Sequence, residues 1–173
     1  MRYLVAFVAA GFLALLQVSA MPNIEVLGVV PDLVLIFAAS WAVTRGQDEA
    51  AVVVPMAGFL RDLATSDPLG TSTLALLPIV LLAAAVRLRA VDTEFVPTVL
   101  VVSIGTLTYG IISMTVLALT GQTVDWTDAA LRVILPSCLV NALFTPLVYG
   151  PVHVFSAPQR EKTIGTRRLT SPL

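Results

Sequence analysis

The sequence predicts an all-α integral membrane protein, built as a bundle of six transmembrane helices. Of its 173 residues, 57% are hydrophobic and 12% are charged, whereas soluble globular domains carry about 25% charged residues. Six apolar segments, each near the roughly 20 residues that a membrane span requires, occupy most of the chain. Few residues remain outside them, so we expect no soluble catalytic domain.

Composition also excludes several kinds of site. The chain has one cysteine, Cys138, and one histidine, His153. An internal disulfide, a Cys/His zinc site and haem ligation by paired histidines are therefore excluded. The formal net charge of −1 gives no basic excess that would favour nucleic acid. We expect no cofactor, no metal and no nucleic-acid partner.

The predicted domain covers residues 1–155, with spans at about 3–20, 29–45, 49–64, 71–88, 95–120 and 129–155. The first span also resembles a signal peptide, because Arg2 precedes the apolar run and Val18-Ser19-Ala20 is typical of a cleavage site. We favour a retained span over a removed leader.

The second and third spans are short and polar at their ends. Merging them would place three charged residues near the centre of one helix, namely Arg45, Asp48 and Glu49. Each central charge costs roughly 2.5–3.5 kcal/mol on an insertion scale, so two separate spans are predicted. They resemble the broken helices of transporters, although only one such pair is present.

The remaining spans are bounded by turn and charge signals. Asp67-Pro68-Leu69-Gly70 predicts a turn before the fourth span, with Thr71 or Ser72 available as its cap. The fifth span carries no charge and has Pro97 in its first turn, where a missing N–H is tolerated. Pro136 and Pro146 are expected to bend the sixth.

The basic residues predict that both termini are cytoplasmic. With that orientation only two basic residues, Arg61 and Arg132, lie on the outer side. The cytoplasmic side holds the other eight, Arg2, Arg45, Arg87, Arg89, Arg160, Lys162, Arg167 and Arg168, as the positive-inside rule requires. The basic tail, 156–173, has little apolar content to bury, so we expect it to be disordered and close to anionic lipid.

Four polar residues within or beside the spans are candidates for a functional network. Asp32 precedes the second apolar run, where a helix cap is the favoured interpretation and a carboxylate facing a partner or pore is the alternative. Arg61 and Asp62 lie near the end of the third span, where a structural cross-helix pair and a functional pair are equally open. We expect Asp32 to approach one of them near the outer face. Asn141 lies deep in the sixth span, where an interhelical hydrogen bond is favoured over ligand binding.

A stripe of small residues marks the first span. Ala6, Ala10 and Ala14 are four residues apart and therefore share one helix face. This spacing lets another helix approach closely, and we expect it to be a helix of a partner protein.

Several of these segments together resemble the rod shape-determining protein MreD family. The resemblance rests on Pro31-Asp32-Leu33-Val34-Leu35-Ile36, on Gly58-Phe59-Leu60-Arg61-Asp62-Leu63 with Pro68-Leu69-Gly70, and on Asn141-Ala142-Leu143 before Pro146-Leu147. It covers nearly the whole chain in length and span order. The chain departs from the family pattern at Arg61, where a small or apolar residue is expected.

The resemblance implies a non-enzymatic scaffold or regulatory subunit of the bacterial cell-elongation complex, which controls cell shape and peptidoglycan synthesis. It implies a multi-pass protein of the cytoplasmic membrane. The implied partners are an MreC-like bitopic membrane protein, MreB, RodA and a class B penicillin-binding protein, and a homodimer stays open. The absence of a nucleophile–base pair and of a phosphate-binding glycine loop in the sequence agrees with a protein that is not an enzyme.

The resemblance also implies a fold similar to the substrate-binding subunits of energy-coupling-factor transporters. This supplies the alternative function, a vitamin-type small-molecule-binding subunit. Such a subunit should line an outer pocket with aromatic and hydrogen-bonding residues. The predicted outer loops offer only Asn23, Glu25, Gln122 and Trp126, which favours the scaffold.

Overall fold

A computed structural model describes residues 2–65, 68–87 and 94–156. Within these ranges the regular structure is helical, apart from an isolated antiparallel bridge between Val26 and Val29. The helices are α1 (Arg2–Ser19), a 3₁₀ turn (Met21–Asn23), α2 (Leu33–Arg45), α3 (Gln47–Ala64), α4 (Thr71–Arg87), α5 (Phe95–Leu119), α6 (Trp126–Ala129), a π-helical turn (Ala130–Ile134) and α7 (Leu135–Ser156).

Among the described residues, three helical segments are long and apolar enough to cross a membrane: α1, α5 and the continuous segment Trp126–Phe155. We call this last segment the sixth span. Helices α2 and α4 are shorter but apolar, and α3 has charged residues in its first and last turns. The described part of the chain is therefore a helical structure of the membrane type.

Helix α2 lies at the centre of the bundle. It contacts α1, α3, α4, α5 and α7, and its residues from Leu33 to Val43 are all buried. A helix that is apolar on every side belongs in a protein interior or a membrane rather than at a surface exposed to water, and here the other helices cover α2. This explains why so short a helix carries such a uniform apolar sequence.

Helix α2 begins later than the start of the predicted span, at the Asp32 cap that the sequence favours. The expected span started at residue 29, but the helix starts at Leu33 because Asp32 caps it, with its Oδ1 accepting a hydrogen bond from the Leu35 N–H at 3.0 Å. Pro31 precedes the cap and has no N–H to donate. The helix ends at Arg45 because Gly46 adopts a φ of +98°, which L side chains rarely tolerate.

Helix α1 lies at the edge of the bundle and packs mainly on α3 and α2. Its buried residues are the three alanines of the small-residue stripe, Ala6, Ala10 and Ala14. The stripe does permit close helix approach, but the neighbouring helices belong to the same chain. The expectation that these alanines face a partner protein is therefore wrong.

The sixth span begins earlier than predicted. The expected start was residue 129, but α6 starts at Trp126, because the Asp125 carboxylate accepts hydrogen bonds from the Thr127 and Asp128 N–H groups. A π-helical turn then precedes Pro136. Pro136 cannot donate to the carbonyl of Arg132, four residues earlier, so the regular α-helical ladder is interrupted at this point.

Three sequence predictions fall on residues that the structure does not describe. Asp67 of the predicted turn and Arg89 of the predicted cytoplasmic set lie outside the described ranges. The predicted basic tail, 156–173, also lies outside them beyond Ser156.

Candidate functional site: a polar network where α2 begins

The end of the bundle at which α2 begins holds a buried polar network, and we call it the Asp32 end. Asp32 itself is 8% exposed. One of its carboxylate oxygens caps α2, and the other forms an ion pair with Arg61 of α3. The expected approach of Asp32 to Arg61 or Asp62 is thus realised through Arg61.

Asn141 connects α7 to this capped helix start. Its Oδ1 accepts a hydrogen bond from the Asp32 N–H at 2.7 Å, and its Nδ2 donates to Thr106 Oγ1 of α5 at 3.0 Å. Asp32, Thr106 and Asn141 are all buried. The amide therefore joins three helices through two hydrogen bonds, in the helix-linking role favoured from the sequence.

Gln17 of α1 binds the same helix start through two hydrogen bonds. Its Nε2 donates to the Pro31 carbonyl at 2.9 Å, and its Oε1 accepts from the Leu33 N–H at 2.8 Å. Gln17 was not predicted from the sequence. A usable signal existed, because Gln17 is the only amide side chain in α1 and an amide inside an apolar span needs a partner.

Arg61 also contacts an aromatic ring. Its guanidinium carbon lies 4.7 Å from the centre of the Tyr109 ring, which is within the range of a cation–π interaction. The Tyr109 hydroxyl lies 3.1 Å from the Ser72 hydroxyl of α4. Tyr109 was not identified from the sequence, since an aromatic residue in an apolar span gives no local sign of a cationic neighbour.

Asp62, adjacent to Arg61 in sequence, takes a different role. It is 1% exposed, and its carboxylate accepts hydrogen bonds from the N–H groups of Gly70, Ser72 and Thr73 and from the Thr73 hydroxyl at 2.8–3.2 Å. Asp62 therefore caps α4 across the turn. The expectation that Thr71 or Ser72 supplies this cap is wrong, because Thr71 Oγ1 donates to the Pro68 carbonyl and Ser72 Oγ faces Tyr109.

A partly open cavity of about 310 Å³ lies over the polar network. Asp32, Arg61, Asn141 and Gln17 contribute to its polar side. Its apolar side comes from the second half of α5 and from the sixth span, including Met114, Leu117, Val133 and Ile134. The network is thus the lining of a cavity as well as a link between helices.

The chemistry available at this site is hydrogen bonding and charge pairing. Among the described residues, no group of three or more His, Cys, Asp or Glu side chains is placed to hold a metal ion. The lining offers amides, hydroxyls and one compensated ion pair, which can bind a polar group and fix the positions of five helices, α1, α2, α3, α5 and α7.

Comparison with known proteins identifies the family. A family model described as rod shape-determining protein MreD matches residues 1–156. No curated protein and no solved structure matches the chain. The matched region contains every described helix and the whole polar network. The chain therefore belongs to the MreD family of rod shape-determining proteins and is a membrane protein that determines cell shape.

Proposed function

We propose that this protein is a non-enzymatic scaffold of the bacterial cell-elongation complex. It acts by holding other membrane proteins together, and it thereby controls peptidoglycan synthesis. The observation that carries the proposal is the family match over residues 1–156.

The proposed partners are an MreC-like bitopic protein as the direct contact, with MreB, RodA and a class B penicillin-binding protein in the same complex, and membrane lipid around them. A second copy of the chain is a further candidate. Scaffolding requires a rigid surface, and the network of Asp32, Arg61 and Asn141 supports this by fixing α2, α3, α5 and α7 against one another. Asp62 supports it by fixing α3 to α4.

The proposed topology is six spans in the bacterial cytoplasmic membrane, formed by α1 to α5 and the sixth span, with both termini cytoplasmic. Helix α2 has 13 residues and is only about 20 Å long at ~1.5 Å per residue. The surrounding helices would shield its ends from lipid, since α2 is enclosed by them. Residues 1–155 form one domain, and the basic tail that follows lies on the cytoplasmic side.

The alternative of a transporter subunit predicts a fold similar to the substrate-binding subunits of energy-coupling-factor transporters. The cavity at the Asp32 end supports this alternative, because a small molecule could bind there. A transporter subunit would take up a small molecule with its transport module, whereas a scaffold would alter cell shape when removed.

Depletion of the protein in its parent cell tests the proposal. We expect rod-shaped cells to widen and round, and we expect re-expression of the full chain to restore the rod. A matched control re-expresses Gly150→Ala, because a Cβ at Gly150 meets nothing within 4 Å. Cells that keep their shape but lose uptake of a nutrient would support the transporter subunit instead.

A further inference from the structure

The cavity at the Asp32 end arises from unequal helix lengths. Helix α2 has 13 residues, whereas the sixth span has 30, which corresponds to about 20 Å and about 45 Å. The first residues of α2 lie beside Asn141, midway along the sixth span. The outer half of that span therefore has no α2 beside it, and the cavity occupies the space above the start of α2.

The volume of the cavity limits what can enter it. At about 310 Å³, the cavity lies at the lower end of small-molecule pockets, which range from about 300 to 1,000 Å³. This size favours a small molecule as the ligand.

The polar side of the cavity has balanced charge. Among the described residues, Asp32 and Arg61 are the charged residues that line it, and they pair with each other. A charged ligand would bring a charge with no counter-charge into a poorly hydrated space, which is strongly unfavourable. The lining therefore favours an uncharged ligand.

Hydrogen-bonding capacity remains at two amides in the cavity lining. Toward the described residues, Gln17 uses one N–H and one acceptor position, and Asn141 does the same. A primary amide has two N–H donors and an oxygen with two lone pairs. Gln17 is half-buried and can offer its remaining donor and acceptor to a bound molecule, whereas Asn141 is 1% exposed and mainly holds the helices around the cavity in place.

The facing wall is apolar. Met114 and Leu117 of α5 and Val133 of the sixth span line it, so a ligand that also carries an apolar portion would bury that portion against them. We propose that the cavity binds an uncharged amphiphile, with a hydroxyl- or amide-bearing head at Gln17 and an apolar body against this wall. The site is independent of the proposed scaffold function.

Thermal unfolding of the full chain in phosphatidylcholine nanodiscs tests the proposal, with 1-monooctanoylglycerol as the probe. We expect the probe to raise Tm by about 3 °C or more at ten times its dissociation constant. Octanoate, which has the same chain length and an anionic head, should raise Tm far less. Glycerol alone has the head without the apolar body and should also raise Tm far less than the ester.

Two variants on one helix locate the site. Ser113 of α5 lines the cavity, so Ser113→Phe should fill it and abolish the rise in Tm. Thr115, two residues along the same helix, is exposed and is not part of the lining, so Thr115→Phe should keep the rise. Ser137→Phe fills the cavity from the sixth span and replaces Ser113→Phe if that variant unfolds before the probe is added.

Three results would overturn the proposal. They are an unchanged Tm in the native chain, an equal rise with octanoate or glycerol, and an equal rise in the cavity-filling variants. The first would mean that the cavity does not bind the probe. Partner recovery and cell shape are separate measurements, so a failure here leaves the scaffold proposal standing.

Discussion

Asp32 caps α2, forms an ion pair with Arg61, and donates its backbone N–H to Asn141. Its side chain and that of Arg61 are 12% and 14% exposed, so removal of either partner leaves a largely buried charge. Breaking a buried pair in this way is strongly destabilising, at about 3–5 kcal/mol. The stability of the Asp32 end should therefore depend on the pair as a unit rather than on either charge alone.

A double-mutant cycle tests this dependence. We expect Asp32→Asn and Arg61→Met each to lower the free energy of unfolding by about 3 kcal/mol or more, and the double variant to lose clearly less than the sum. Asparagine keeps the capping oxygen, so the cycle isolates the charge interaction. Denaturing-detergent titration in mixed micelles gives the free energies, and simple additivity would mean that the two charges do not interact.

Removal of the Asp62 carboxylate should lower the free energy of unfolding more than removal of the Asp125 carboxylate, which also caps a helix. We expect Asp62→Ala to lower the free energy of unfolding by about 2–4 kcal/mol, because buried N–H groups of the α4 turn lose their acceptor. Asp125→Ala is the matched control, since Asp125 is also an N-cap but is exposed, and we expect it to cost about 1 kcal/mol or less. Equal losses would show that burial of the Asp62 cap contributes nothing.

Single residues also show what sequence alone can predict. The Asp32 cap could be predicted, because capping depends on residues three apart. The Asp62 cap could not, because its acceptor and donors are separated by 8 to 11 residues across a turn. The hydrogen bond from the Asp32 N–H to Asn141 joins residues 109 positions apart. It depends on how α2 packs on α7 and could not be predicted from the sequence either.

At the scale of helices, small residues set the distances between neighbours. The alanine stripe of α1 was correctly interpreted as a close-packing face, but the sequence could not tell an intramolecular neighbour from a partner. Gly58 of α3 shows the same principle at the α3–α4 contact. A Cβ there would lie 2.6 Å from the Thr73 Cα and 2.9 Å from the Thr73 N, which are backbone atoms that cannot rotate away.

Replacement of Gly58 tests the tightness of that contact. We expect Gly58→Ala to lower the free energy of unfolding by about 1–3 kcal/mol, because α3 and α4 must move apart. Gly150→Ala in α7 is the matched control, since nothing lies within 4 Å of its added Cβ, and alanine favours helix more than glycine does. The control should be neutral or stabilising. Comparable losses in the two variants would contradict the close α3–α4 approach.

At the scale of the whole molecule, the described residues form six helical segments once α6, the π-helical turn and α7 are taken as one. Hydropathy was sufficient to predict these helices because apolar length is a local property of the sequence. Of the described helices, α1, α5 and the sixth span have the length and hydropathy of a membrane span, so the crossing of the membrane by all six stays a prediction. The central position of α2 and the cavity above it were not predictable, because they depend on which helices surround the shortest one.

Cysteine labelling tests the topology of the whole chain. In a Cys138→Ala background, we expect Thr123→Cys, in the connection between α5 and α6, to react with a membrane-impermeant maleimide on intact cells. Gln47→Cys, at the exposed start of α3, is the matched control and should react only after the membrane is permeabilised. The opposite pattern would reverse the proposed orientation.

The central claim is that this MreD-family chain acts by binding other membrane proteins, and co-purification tests it most directly. The affinity-tagged full chain is recovered from native membranes of its parent cell, and bound proteins are identified and quantified. An unrelated membrane protein with the same tag and expression level is the control. We predict recovery of an MreC-like bitopic protein at near-equal amounts with the chain and not with the control. A folded, membrane-inserted chain that recovers no such protein, or no more of it than the control does, would contradict the claim.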